Sequence, residues 1–263
     1  MNQLVAMGIR SVPLWLIAIA LVLVSLGVCE LALKVAQYRE SHGKGHGSVS
    51  FVITPIFALL AFMLASTFSM GLQRFDSRRM ALMSEVEAIG TEFDRASLLD
   101  EPGGTAVRQQ LRAFAHCRIM PPESEVEAAA ARARDCRTIQ NRMWEQTRAS
   151  VQPVRLTALG SYIVFGMNDV LNAATRRDIS VRSFIPNTVL TVLILCILAA
   201  SASLGLAVAD TKSRFRPSVI LLLSLYGLCF ILILDIDGSM KGSIEVSQLP
   251  MQELATRLDQ ASQ

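Results

Sequence analysis

A chain of 263 residues that is 52% hydrophobic and only 18% charged, with a mean hydropathy of +0.42, is too apolar for an ordinary soluble domain. Its formal net charge of +3 sets up no whole-molecule field that would attract nucleic acid.

The apolar excess is confined to four blocks, each near the roughly 20 residues that a helix needs to cross a bilayer. The first, Ser11–Cys29, carries no charge, and its helix is expected to continue to Leu33 past Glu30. It is longer than the ~7–15-residue core of a cleaved signal, and Val28 is bulky where a lipoprotein site wants a small residue, so a retained helix is expected. Glu30 precedes Lys34 by four, the favourable order for a helical ion pair, and reads as an interfacial anchor. In Ser-His-Gly-Lys-Gly-His-Gly, His42 and His46 have i,i+4 spacing, but the glycines make a flexible loop and no third metal ligand is near.

The second block, Phe51–Leu72, contains Thr54, Ala58, Ala61, Ala65 and Ser69 at steps of 4, 3, 4 and 4. This is one stripe of small or weakly polar residues. It can serve close helix packing or border an aqueous path, and periodicity alone favours packing.

Residues 73–183 read as four amphipathic helices. Phe75, Leu82, Val86, Ile89, Phe93 and Ala96 form a helical stripe continuous with the second block, ended by Asp100-Glu101-Pro102-Gly103-Gly104. Thr105 is placed to cap a helix with Val107, Leu111 and Phe114 on one face, stopped at Pro121-Pro122. Ser124 and Glu127 have capping-box spacing and open a third helix toward Ser150, broken by Pro153. A fourth carries Leu156, Leu159, Ile163, Val170 and Ala174 in register and leads to Arg176-Arg177. The region holds 16 Arg, no Lys and 14 acids, a near balance expected of a solvated, ion-paired surface. Cys117 and Cys136 flank Pro121-Pro122 by four and fourteen residues. On a tight hairpin they stand ~15 Å out of register at 1.5 Å per residue, so free thiols in a reducing cytoplasm are expected.

The third block, Phe184–Ala209, has Ser201, Gly205 and Ala209 four apart; the fourth, Pro217–Leu234, is closed by Asp235 and Asp237. Acids at membrane depth are costly and suggest function. Two apart on a helix, these two point ~200° from each other and are no paired site unless the helix ends there; Gly238 and Gly242 suit such an end, and an interfacial stop reads as well as a functional site. Cys29, Cys196 and Cys229 lie inside the blocks and read as small apolar residues.

The expected architecture is all-α, with four transmembrane helices. An N-terminal pair occupies residues 1–72 (helices 11–33 and 51–72), a helical region 73–183, a C-terminal pair 184–237 (helices 184–209 and 217–236), and a tail 238–263. One side of the membrane then receives Arg10, Arg74, Arg78, Arg79, Arg176, Arg177, Arg182 and Lys241, and the other Lys34, Arg39, Lys44, Lys212, Arg214 and Arg216. This bias favours a cytoplasmic middle region. His116 has no nucleophile at a recognisable spacing, and there is no Gly-x-Ser-x-Gly, phosphate-binding loop or Cys-x-x-Cys. No enzymatic activity, cofactor or metal is expected.

Several stretches resemble a bacterial family of bestrophin-like membrane proteins. They are Phe75-Asp76-Ser77-Arg78-Arg79 with Glu85-Val86-Glu87-Ala88-Ile89-Gly90-Thr91, Arg95 and Leu98-Leu99; Asn168-Asp169 with Arg176 or Arg177 and Pro186; and Leu234-Asp235-Ile236-Asp237 followed by Gly242-Ser243-Ile244 and Val246-Ser247-Gln248-Leu249-Pro250. The likeness spans about residues 50–255, and Gly238 stands where the pattern usually has proline. It implies two helices, a cytosolic helical region and two more helices. Bestrophins are pentameric anion channels whose second membrane helix lines the pore.

On that resemblance the expected function is an oligomeric ion channel of the inner (plasma) membrane, with the middle region and both termini cytoplasmic. Thr54, Phe57, Ala58, Ala61, Phe62, Ala65, Phe68 and Ser69 would line the pore, the phenylalanines forming a hydrophobic neck able to gate by dewetting. Asp235 and Asp237 would be ion-binding or structural acids. The expected partners are the lipid bilayer, ions and further copies of the chain, most simply five. The alternative is a non-conducting scaffold whose helical region binds a partner.

Overall fold

The computed structural model describes residues 13–42, 50–120, 126–210, 216–238 and 244–261. Among them every regular element is helical: α1 (Leu14–Ser41), α2 (Ser50–Ala96), α3 (Gly103–Arg118), α4 (Val126–Val151), a 3-10 turn (Gln152–Val154), α5 (Ala158–Val181), α6 (Asn187–Asp210), α7 (Arg216–Asp237) and α8 (Leu249–Gln260). Four of these, α1, α2, α6 and α7, are long and apolar enough to cross a membrane. The chain divides into an apolar unit (1–73, 184–238 and 242–244) and a polar unit (74–183, 239–241 and 245–263).

The apolar unit closes around Leu21, Leu60, Leu64, Ile185, Leu193, Ile197, Ala200, Phe230 and Ile233. Helix α1 packs against α6 and α7, and glycine makes both approaches possible. A methyl group at Gly205 would run into the carbonyl oxygen of Cys29 and lie 2.9 Å from Cβ of Ala32; one at Gly227 would lie 2.7 Å from the Val22 side chain. Helix α1 runs to Ser41, beyond Leu33, because Lys34 to Ser41 contains no glycine or proline to stop it. His42 ends it, with Nδ1 2.8 Å from the Tyr38 carbonyl oxygen. His46 lies outside the described residues, as does Ser124 of the expected capping box.

The polar unit has its own core of Leu82, Ile89, Phe93, Val107, Leu111, Phe114, Met143, Ile163, Met167, Val170, Met251, Leu254 and Leu258. The expected helices form, with different details at their starts. Helix α3 begins at Gly103, and Glu101 rather than Thr105 supplies the cap, accepting from the Thr105 amide at 3.1 Å. The Thr105 side chain, together with that amide bond, holds the Glu101 carboxyl below its ordinary range. Leu156 lies before α5 and is 92% exposed, while Thr157 caps the helix by accepting from the Gly160 amide. The last residues form helix α8, whose Met251, Leu254, Ala255 and Leu258 face the core.

Two expectations are corrected here. Cys117 and Cys136 are not free thiols: their Cα atoms are 5.7 Å apart and they form a disulfide, within the usual 4.4–6.8 Å for bridged pairs. A tight turn at the prolines would keep the two cysteines out of register, but α3 and α4 are separated by residues 119–125. Seven residues reach up to ~24 Å when extended, more than the ~15 Å offset. Nor are the arginines all solvated, since Arg78, Arg118 and Arg177 are buried.

Candidate pore-lining face

The second membrane helix buries one stripe and exposes another. Leu60, Leu64, Thr67 and Gly71, at steps of 4, 3 and 4, face the core of the apolar unit. The Thr67 hydroxyl donates to the Met63 carbonyl at 2.7 Å, so this hydroxyl is satisfied within its own helix. Thr54, Ala58, Ala61, Ala65 and Ser69 are all exposed. At ~100° per residue this face is turned roughly 130° from the buried one.

The three phenylalanines separate. Phe62 is 63% exposed, beside the small-residue stripe. Phe57 and Phe68 pack against the core, Phe57 with its ring 6.1 Å from that of Tyr226.

Within this unit, a stripe of the same composition on α6 does the opposite. Ser201 and Gly205 are buried, Gly205 against the backbone of α1, and the Ser201 hydroxyl donates to the Ile197 carbonyl at 2.8 Å. This is small-residue packing. The other membrane helices expose mainly bulky apolar side chains, among them Ile19, Leu23 and Leu31 on α1, Leu195 on α6, and Leu221 and Leu228 on α7, although Thr191 and Ala199 of α6 are exposed as well. The bulky side chains suit lipid tails. The small α2 face is unlike them.

Asp235 and Asp237 are both buried at the end of α7, which continues through them to Gly238. Oδ1 of Asp237 accepts the amide of Ile185 at 2.8 Å. That bond satisfies a backbone donor just ahead of α6, a structural task for at least one of the two acids.

The polar unit holds a buried ion network that local sequence did not reveal. Glu85 of α2 is fully buried, with Oε1 2.6 Å from Nε of Arg118 and Oε2 2.7 Å from Nη1 of Arg177. Arg118 reaches on to Asp178 at 2.9 Å, and Arg177 donates to Gln248 at 2.7 Å. Burial works against the charge on both arginines. Glu85 and Asp178 outweigh it at Arg118, whose pKa is raised, while burial prevails at Arg177. Arg78 donates to the Ser183 carbonyl at 2.9 Å, and Arg74 to the Ser183 hydroxyl at 2.7 Å. Together these tie α2, α3, α5 and the start of α8.

His116 lies in an open surface recess with Gln109, Arg112 and Asp259, its Nε2 3.0 Å from Asp259. Among the described residues no cluster of three or more His, Cys, Asp or Glu side chains could hold a metal ion.

Four membrane-length helices with a helical polar unit between the second and third define an all-α integral membrane protein. Its fold is that of bacterial bestrophin homologues. A bestrophin homologue from Klebsiella pneumoniae superposes with TM-score 0.66 at 15% identity, over 93% of this chain and 96% of that one. A single-site variant of a Klebsiella pneumoniae bestrophin homologue gives 0.66 at 14%, over 93% and 97%. Another solved membrane protein gives 0.70 at 13%, over 93% and 98%. No family model and no curated protein matches the chain.

Proposed function

We propose that this protein is a homo-oligomeric ion channel of the bestrophin type, conducting passively through a central pore lined by α2. The observation that carries this reading is the exposed stripe Thr54, Ala58, Ala61, Ala65 and Ser69. A membrane helix that turns small and weakly polar residues away from its own protomer, beside neighbours that turn out mainly leucine and isoleucine, suits copies of itself around water better than lipid. The fold shared with bestrophin homologues supports the same arrangement.

Phe62 forms the hydrophobic neck, with Phe57 and Phe68 bracing it from within the protomer. A shared pore requires a closed ring, and five subunits is the number we propose. Outside the membrane, Tyr162, Phe165 and Ile179 are exposed on α5 and provide apolar surface for a neighbouring copy. The middle region and both termini lie in the cytoplasm of the inner membrane, on the strength of the arginine bias alone. The Cys117–Cys136 disulfide withdraws the support that free thiols would have lent, since disulfides persist chiefly in oxidising compartments.

The test is purified protein reconstituted into liposomes and assayed for flux of several salts, with native mass spectrometry of the same preparation. Three or more subunits, most simply five, and flux that saturates with none of the salts are expected. A monodisperse monomer with full flux removes the central pore.

A further inference from the structure

Two glutamates of α2 in the polar unit are fully buried, and they are treated oppositely. Glu85 is held by two guanidiniums. Glu92, two turns on and well past the uncharged run that ends at Leu72, has no hydrogen-bond partner for either carboxyl oxygen. Arg95, on the same helix, places Nη1 3.6 Å from Oε2, an ion-pair distance beyond hydrogen-bonding range, and is itself 37% exposed. Asp169 of α5 faces Glu92 with a like charge.

Gly166 of α5 closes the site. A methyl group there would run into Oε2 and lie 2.7 Å from Cδ of Glu92, so the carboxyl lies in the notch left by the missing side chain. The nearby charges on α8 are committed elsewhere, Arg257 lying 3.7 Å from Asp94, both exposed. A carboxylate here would be a buried charge without hydrogen bonds, a costly arrangement. A neutral acid fits. Glutamine would occupy the same volume without titrating, so glutamate makes this helix contact sensitive to protons.

We propose that Glu92 is a proton-binding residue, protonated at neutral pH where it packs into the Gly166 notch, and that its ionisation under mildly alkaline conditions loosens α2 from α5. The inference stands whether or not the protein conducts. Burial raises the Glu92 pKa from 4.5 to about 8; Arg95 opposes the rise and the charge of Asp169 adds to it. Between those values the folded chain keeps a proton that the unfolded chain has lost. The stabilisation is therefore complete below about 4.5 and is lost as pH rises through about 8.

The experiment uses the full chain in detergent, with thermal unfolding midpoints followed from pH 5 to 9. Relative to wild type, Glu92→Gln should abolish most of the fall in midpoint toward pH 9 and match it near pH 5. Asp169→Asn should move the fall to lower pH, and Arg95→Gln to higher pH. Infrared spectra of wild type at pH 7 should show a protonated-carboxyl band that disappears above about pH 8 and is absent in Glu92→Gln. Identical pH profiles for wild type and Glu92→Gln, or the same band in both, overturn the proposal. Should Glu92→Gln fail to fold, an unmoved profile in both Asp169→Asn and Arg95→Gln overturns it equally.

Discussion

Replacing Ala61 by tryptophan separates a pore face from a packing face, because the protomer itself gives the indole nothing to collide with. Ala61 is exposed, about 100° around α2 from the buried Leu60 and about 60° from the buried Leu64. The fold of the single chain should change by no more than ~0.5 kcal/mol, as for other exposed positions. The matched control is Gly205→Val, where added carbon meets the Cys29 carbonyl oxygen and Ala32. Overpacking of that kind costs about 1–3 kcal/mol. In a ring, Ala61→Trp places one indole per subunit at the narrowest part of the path. Flux should fall at least ~10-fold, equivalent to about 1.4 kcal/mol of added barrier, with the subunit count unchanged. The assay is liposome flux paired with native mass spectrometry and a thermal unfolding midpoint for each variant. An Ala61→Trp protein that loses its oligomer, or one that assembles and conducts like wild type, refutes the reasoning. The first outcome would make the stripe a subunit contact, the second a lipid surface.

Cysteine introduced singly at 54, 58, 61, 65 or 69, after replacement of Cys29, Cys196 and Cys229, should react with a small hydrophilic thiol reagent. Labelling confined to another helix would reassign the pore. Glu85→Gln removes the carboxylate shared by two buried guanidiniums and should cost up to about 3–5 kcal/mol, read as a lowered unfolding midpoint; a loss below ~1 kcal/mol would mean that Asp178 and Gln248 hold the arginines without it. Reporters at Gly103-Gly104 and after Gln263 should both report cytoplasm, and opposite reports would remove the four-helix topology.

The membrane helices and the breaks between the polar helices were legible from sequence because both are local properties. A run without charge from Phe51 to Leu72, a proline at 153, and apolar steps of three and four each act within a few turns of chain. Helix α8 carried the same signal, Met251, Leu254, Ala255 and Leu258 at helical spacing, although reading those residues as a tail passed over it. Other features had no local signature. The small stripes on α2 and α6 have nearly the same spacing, yet one is exposed and the other buried against Cys29. The difference lies in what each helix meets, not in the helix itself. Cys117 and Cys136 pair because the link between α3 and α4 is long enough to cancel their offset, a geometry that helical register cannot supply. Arg118 and Arg177 look like the other arginines until the fold brings them to Glu85, 33 and 92 residues away in the chain. Glu92 reads as one more acid on an amphipathic helix until Gly166 is placed against it. Hydropathy and periodicity choose which elements form; a buried charge's partners, or their absence, are decided by residues distant in sequence, which meet only when the core closes.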